Sequence, residues 1–465
     1  METSATPLAL LAEASSVMTA APSALLAETS SVPEASSIAA LAGPVVVSTE
    51  RLAGVTATAD LLPQALTRML EQHARIKAAE ADLRAATAAL AKTRGGFFPD
   101  LKITSDTGRE SINNPGETPN TDLSMRHTNF SVNQLLWDFG KTSAETAKAA
   151  IAVQQAENSV QLAKQDLLLE GMSAYINLLR AYVTTEFAQQ SVDNIQKQAG
   201  LEESRVDLGS GFPTDVLQAK SQLAGAQARH SRAKGGLVSA MNRYRSVFEA
   251  DPPRREDVRP LRMPQDRFPS SLEEALRLTR ERNLQLRNAE LGRTSADLEI
   301  DRVKADSLAP KLNLVSEAKF SRNDTGVAGN KEDKLVKMEL SYAFNAGLAG
   351  IDALHTAREQ KLAVASRFQD TATTVEEQAR NAWQSLITAR ENADHLANQV
   401  RIAAEFLRLA QEERLQGRRS LIDVLSGETT VINAQSDAAA ADADVAIAAL
   451  TILKTIGQLA MDSVQ

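Results

Sequence analysis

The chain has 465 residues, of which 43% are hydrophobic and 24% charged, with a formal net charge of −8. This length and composition exclude wholesale disorder, and the acidic balance excludes nucleic-acid binding through a basic surface. Because the chain has no cysteine, disulfides, thiolate catalysis and lipid attachment through cysteine are also excluded. The five histidines show no metal-ligand spacing, and no motif indicates a cofactor or an enzyme. No apolar run is long enough for a transmembrane helix, so a membrane crossing would require strands.

Residues 1–59 form a segment rich in alanine, serine and threonine, with Arg51 as its one basic residue. The segment ends in Ala57-Thr58-Ala59, which is similar to a signal-peptidase cleavage triplet. However, no basic region precedes its apolar stretch, Ile38 to Val47, as a secretory signal would require. We therefore interpret this segment as a disordered leader or the product of a misassigned start.

The rest of the chain is predicted to contain two structural repeats. Three landmarks recur in the same order roughly 210 positions apart: helix starts at Leu62 and Leu272, prolines before a strand at Pro99 and Pro310, and turn glycines at Gly209 and Gly417. Residues 248–270 contain five prolines and many charges, which is typical of a linker. We predict a first repeat at 60–247, this linker, and a second repeat at 271–463.

Each repeat is predicted to contain a helix, a strand pair, a very long helix and a second helix. The strands are expected at about 99–113 and 127–139, then at about 310–322 and 334–344. Apolar and polar residues alternate along them: Leu312, Leu314, Ala318 and Phe320 oppose Lys311, Asn313, Glu317 and Lys319. Such alternation fits a wall with lipid on one side and water on the other, and it fits a soluble sheet with one wet face equally well.

The long helices favour lateral association over a compact core. No proline occurs from Gly140 to Leu208, which allows a helix of about 100 Å. Apolar residues follow coiled-coil spacing in two seams: Leu168, Met172, Tyr175, Leu179 and Tyr182, then Leu396, Val400, Ala403, Leu407 and Ala410. Four strands cannot close a barrel, so strands placed in a membrane would need other copies of the chain to pair their edges.

Three features of the chain resemble the TolC family of outer-membrane efflux proteins. They are the repeated order of helices and strands, the run from Gln134 to Gly140, and the paired Gly…Asp-Val-Leu turns at 209–217 and 417–425. This resemblance implies a mainly helical protein with β-structure. Its homotrimer would form a twelve-stranded outer-membrane β-barrel, with four transmembrane strands per protomer, and a helical barrel across the periplasm. The implied function is export through a channel-tunnel embedded in outer-membrane lipid. The implied partners are a periplasmic adaptor and an inner-membrane ABC or proton-driven transporter. The sequence does not distinguish protein cargo from small molecules.

The resemblance also implies a gate at the periplasmic tip. Asp423 matches the first gate aspartate of the family, and Arg419 matches its latch arginine. Ser426 replaces the second gate aspartate, and Arg414 stands where the latch often has a tyrosine. Asp215, at the matching turn of the first repeat, is the next candidate for the entrance.

Local helix chemistry offers another interpretation of both aspartates. Ser420 and Asp423 have capping-box spacing, and Pro213 ahead of Asp215 is typical of a helix start. Gly209 and Gly417 are each expected to end a helix in the left-handed conformation. The alternative function is a soluble or membrane-associated coiled-coil scaffold, in which the strand pairs would be small hairpins.

Overall fold

A computed structural model describes residues 61–113, 116, 120–261, 267–343 and 348–461. The predicted leader and part of the predicted linker lie outside these residues. The first half contains α1 (Leu61–Gln72), α2 (Ala74–Gly95), β1 (Asp100–Ile112), β2 (Thr121–Trp137), α3 (Lys141–Asp207) and α4 (Pro213–Phe248). A 3-10 turn, Arg255–Asp257, follows. The second half contains α5 (Leu272–Arg282), α6 (Leu284–Leu308), β3 (Lys311–Arg322), β4 (Asn330–Ser341), α7 (Ala349–Leu415) and α8 (Leu421–Thr455).

The opening helix of each half is broken, where the sequence predicted a single helix. His73 separates α1 from α2, and its Nδ1 accepts a hydrogen bond from the backbone N of Arg75. Asn283 separates α5 from α6, and its Oδ1 accepts from two backbone N–H groups of the next turn. Both residues have extended backbone and cap the following helix, so each break replaces lost helix bonds with a side-chain cap.

The strands form one antiparallel sheet with the order β1-β2-β3-β4. The pairing of β1 with β2 continues out to Ile112 opposite Thr121. For this reason β2 begins at Thr121, and the prediction of residue 127 was wrong. A bulge between Leu135 and Trp137 shifts the register of β2 against β3.

The two faces of the sheet differ in polarity. Alternate residues point to opposite faces, so the register assigns each side chain to one of them. One face is apolar and solvent-exposed: Leu101, Ile103, Phe130, Leu314, Phe320, Val336, Met338 and Leu340. The opposite face carries polar and charged residues, including Lys102, Asp106, His127, Glu317, Lys319, Asp333, Lys337 and Glu339. The predicted alternation is confirmed on β3 and β4, whereas the apolar face becomes polar along the outer parts of β1 and β2, at Arg109, Asp122 and Arg126.

The helices α3 and α7 each contain 67 residues and organise the packing. Helix α3 packs against α2, α4, α6 and α8, whereas α7 packs against α5, α6 and α8. The largest apolar cluster surrounds the middle of α3, where Leu167, Met172 and Leu178 are fully buried. The first predicted seam faces this cluster, and the second seam lies against α8 around Ala403. Among the described residues, no helix offers a stretch that is long and apolar enough to span a membrane.

An ionic cluster joins the sheet to the helices. Asp306, near the end of α6, lies 2.8 Å from Lys141 of α3 and 3.3 Å from Lys311 of β3. Two turns earlier in α6, Glu299 accepts hydrogen bonds from Arg302 and from Lys148 of α3. These cations, Arg302 above all, lower the pKa of Glu299 to about 2. The cluster thereby fixes the start of α3 beside the end of α6, directly next to the sheet.

Candidate gate at the helix tips

Each long helix reverses into its partner at a glycine turn. Gly209, after α3, has φ of 74°, and Gly417, after α7, has φ of 72°. The N–H of each glycine donates to the carbonyl three residues back, and the next N–H donates to the carbonyl five residues back. This is the Schellman arrangement, which satisfies carbonyls at a helix end. The prediction of left-handed helix ends at both glycines is confirmed.

The two turns lie beside each other because the start of α8 packs against both α3 and α4. Leu421 and Leu425 of α8 are almost completely buried. They belong to one apolar cluster with Ile195 of α3 and Ala219 of α4. The hairpin tip of the second half therefore packs on the hairpin tip of the first half.

A buried carboxylate links the ends of α3 and α7 across these tips. Nη2 of Arg414 in α7 donates to Oε1 of Glu202 in α3 over 2.8 Å. Only 4% of Glu202 is exposed, and its second cation is Arg205, at 3.2 Å. Arg414 also donates to the backbone carbonyl of Arg419 at 3.3 Å, so it holds the turn of its own hairpin as well.

Arg419 makes its contacts within its own hairpin. Its Nε lies 2.6 Å from Oε2 of Glu413, and its guanidinium stacks 5.3 Å from the ring centre of Phe406. The two arginines predicted for the latch thus contact different parts of the protein. Arg414 reaches α3, whereas Arg419 stabilises the turn between α7 and α8.

Asp423 is half-buried in the first turn of α8. Its backbone N–H donates to the hydroxyl of Ser420 at 3.2 Å, and that hydroxyl donates back to the carboxylate at 2.9 Å. The predicted capping role is therefore confirmed. Ser426 follows one turn later and is exposed.

Asp215 occupies the equivalent first turn of α4, which begins at Pro213 as predicted. Asp215 is half-buried, and no polar partner for its side chain is found among the described residues. The two aspartates thus occupy matching positions at adjacent tips. Two acidic helix starts of this kind place negative charge at one end of the helix bundle.

Comparison with known proteins shows a likeness to one family. The profile of the family described as outer membrane efflux protein matches residues 65–247. Outer membrane efflux protein BepC of Brucella suis is 23% identical over 426 residues, which cover 91% of each chain. Outer membrane protein TolC of Escherichia coli K12 is 22% identical over 413 residues, 86% of this chain and 83% of that one. The chain is similar to outer membrane efflux proteins over most of its length.

Solved structures support the same fold. The outer-membrane channel OprN superposes with a TM-score of 0.74 at 20% identity, covering 86% of this chain and 90% of that one. The open state of the Neisseria gonorrhoeae MtrE channel superposes with a TM-score of 0.72 at 17% identity, covering 86% and 89%. The likeness to these outer-membrane relatives assigns the protein to the outer membrane. Its relatives are efflux channels and not enzymes.

Three glutamates at the tips were not predicted from the sequence. Glu202 and Glu413 are the carboxylate partners of the two arginines. Glu428 of α8 is 7% exposed and accepts a hydrogen bond from Asn194 of α3. Each of these glutamates occurs among other polar residues of a helix, so the sequence pattern does not single it out. The one available signal for a buried carboxylate was that Arg414 needs a counter-charge if its end of α7 is buried.

Proposed function

We propose that the protein is one protomer of a homotrimeric channel-tunnel that exports substrates across the periplasm and the outer membrane. It would work with a periplasmic adaptor and an inner-membrane transporter. The observation that carries this proposal is the four-stranded sheet with one exposed apolar face, attached to helices of 67 residues. Three such sheets would supply a twelve-stranded barrel, and the number three comes from the family resemblance.

The outer edges of the sheet support assembly from several copies. β1 and β4 each pair with one neighbour, so their outer edges have no partner strand within the part of the chain that the structure describes. An unpaired backbone group in lipid costs several kcal/mol, which makes a lone sheet of this kind unstable in a membrane. Pairing β4 of one copy with β1 of the next would satisfy both edges.

The polarity of the faces sets the orientation of the sheet. Val336 and Met338 are each 71% exposed, and Leu340 is 67% exposed. Apolar side chains of this size are stable against lipid, so the apolar face would be outside and the polar face would line the conduit. A soluble scaffold would leave this patch in water, which disfavours that alternative.

The helices also have apolar surface available for sister copies. Ile351, Leu362 and Ile402 of α7 are each more than half exposed, although α7 already packs on α5, α6 and α8. Lateral contact with the next protomer would cover this surface and form a helical barrel. We further propose the division into repeats at 60–247 and 271–463 with a linker at 248–270, since the element order recurs on both sides.

We propose that the tips form the periplasmic gate. Asp423, with Asp215 as a second contributor, would place acidic rings at the entrance and attract cations. Ser426 reduces that charge relative to the family. Arg414 would act as the latch through Glu202, and Arg419 would hold the turn that presents Asp423.

The proposal is tested on the full chain expressed in a Gram-negative host. A channel requires detergent for extraction, has the mass of a trimer by light scattering, and produces conductance steps in planar bilayers. A scaffold would be recovered in the soluble fraction without conductance, and that result would overturn the proposal.

A further inference from the structure

The connection between β3 and β4 folds back over the sheet. We name residues 323–329 the strap loop. The pairing of β3 with β2 ends at Arg322 opposite Arg126, whereas the pairing of β1 with β2 continues to Ile112 opposite Thr121. The β1–β2 hairpin therefore projects beyond β3, and the strap loop lies against this projecting part.

Backbone and side-chain bonds hold the strap loop on the hairpin. Nδ2 of Asn323 donates to the carbonyl of Ser124 at 2.8 Å, where β2 has no strand partner on that side. The N–H of Gly326 donates to Oε2 of Glu110 in β1 at 3.2 Å. A Cβ at Gly326 would lie 2.7 Å from Oγ1 of Thr121, and the φ of 77° also favours glycine there. The loop is thus seated closely against both strands of the hairpin.

A charged cluster fixes the base of the strap loop. Nδ1 of His127 lies 3.1 Å from Asp106, and its Nε2 lies 3.1 Å from Asp324 of the strap loop. Lys319 of β3 lies 3.3 Å from the other oxygen of Asp324. The side chains of His127 and Asp324 are only 18% and 12% exposed, so solvent screens these contacts weakly. Asp324 is the strap residue on which these sheet contacts converge.

The strap loop covers the polar face of the sheet. Asp106, His127 and Lys319 belong to that face by their register. Glu110 and Thr121, which contact Gly326, are on the same face. The apolar face opposite remains exposed.

We propose that the strap loop is a constriction at the outlet of the conduit, held inward by Asp324 and Asn323. This inference rests on the proposed function, in which the polar face lines the water-filled path. Three copies would direct three strap loops toward the axis at the end of the barrel farthest from the helices. Release of the loops would widen the outlet without any change at the helix tips.

The test compares single-channel conductance of the full-length trimer with that of two variants. The release variant is Asn323→Ala with Asp324→Ala, and it should conduct more than the parent. The matched control is Glu339→Ala, which removes the same charge from the same face at a position opposite Asn313, where the carboxylate is ion-paired with Lys337. The control corrects for altered charge in the lumen, because only the release variant frees the loop.

An engineered disulfide supplies an independent restraint on the strap loop. Because the chain has no native cysteine, no other thiol of the chain competes with the introduced pair. A Cβ at position 326 would lie 3.8 Å from Cβ of Thr121, and disulfides have Cβ atoms about 3.8 Å apart. In the release variant, oxidised Thr121→Cys with Gly326→Cys should return the conductance to the parent value, and reduction should raise it again. All variants must run as trimers of parental mass, which excludes misfolding as the cause.

Each result decides between defined alternatives. Equal conductance of the release variant and the Glu339→Ala control would overturn the strap proposal. Failure of the cysteine pair to cross-link in a correctly assembled trimer would overturn the loop position on which it depends. Absence of channels from the parent protein would overturn the channel function itself, and the outlet role with it.

Discussion

Arg414 of α7 and Glu202 of α3 form an ion pair of 2.8 Å between the ends of the two longest helices. The carboxylate is almost fully enclosed, with 6% of its side chain exposed, whereas 24% of the arginine side chain is exposed. Removal of one member of such a pair leaves the other charged and poorly solvated, which costs more than the pair itself contributes. Movement of α7 away from α3 would require the same separation. The pair is therefore suited to resist opening at the tips.

Glu202→Gln should weaken the contact between the tips by about 1–3 kcal/mol, because a hydrogen bond to a charged group is lost. We expect faster amide hydrogen exchange near the ends of α3 and α7, and a larger mean conductance. Arg205→Gln is the matched control, since Arg205 contacts the same carboxylate but is 52% exposed. A Glu202→Gln protein that exchanges no faster than the control would contradict the latch role. In a double-mutant cycle, Arg414→Gln should add little once Glu202 has been changed.

Asp423→Asn should lower cation selectivity, because each protomer would lose one negative charge at the entrance. The reversal potential in a salt gradient measures this change. Ser420→Ala is the control, since it removes the cap of α8 at a cost of about 0.5–2 kcal/mol and keeps the carboxylate. If both variants keep parental selectivity, Asp423 acts only in capping its helix.

Sequence reasoning succeeded where local chemistry decides the structure. Gly209 and Gly417 were predicted to be left-handed because a helix that ends on glycine commonly adopts that conformation, and both do. The seam around Met172 was predicted from spacing alone, and it faces the main apolar cluster. The order of helices and strands followed from periodicity in the same way.

Prediction from the sequence failed where contacts between distant parts of the chain decide the structure. The start of β2 at Thr121 depends on pairing with Ile112 of β1, and most residues of this stretch lack strong strand propensity. The break at His73 was missed because histidine is an uncommon helix cap. Glu202 could not be selected as a partner of Arg414 because the two are far apart in sequence, and only the packing of α3 against the second half brings them together.

Gly417→Ala should destabilise the α7–α8 turn by about 1–2 kcal/mol, the cost of left-handed backbone for a residue with a Cβ. No heavy atom lies within 4 Å of a Cβ placed there, so the effect would be conformational and not steric. Gly235→Ala in α4 is the matched control, because its Cβ also meets open space but its backbone is helical. That control should stabilise the protein by about 0.5–1 kcal/mol. Thermal unfolding measures whether the melting temperature falls in Gly417→Ala and rises in Gly235→Ala. Equal shifts of the melting temperature would contradict the left-handed role of Gly417.

Met338→Lys should reduce the amount of assembled trimer. Met338 lies on the apolar face between Val336 and Leu340, and a lysine facing lipid near the middle of the membrane costs about 2–4 kcal/mol. Leu335→Lys on the same strand is the control: Leu335 pairs with Glu317 and belongs to the polar face. The fraction of trimer in detergent-extracted membranes measures both variants. Equal loss in the two would mean that the faces of β4 do not separate lipid from water.

The ionic cluster beside the sheet should make stability depend on acid pH. The ion pairs of Glu299 lower its pKa from the ordinary value of 4.5 to about 2, so the folded protein binds its proton more weakly than the unfolded chain does. The resulting stabilisation is fully present above pH 4.5 and is lost as the pH falls from about 4.5 to about 2. Glu299→Gln should therefore be less stable than the parent at neutral pH, and the difference should shrink over that acid range. Denaturant unfolding at a series of pH values measures the difference. Glu290→Gln, at an exposed position of α6, should leave the parental pH profile unchanged. A constant difference between parent and Glu299→Gln from pH 7 to pH 2 would show that the carboxylate does not contribute through its charge.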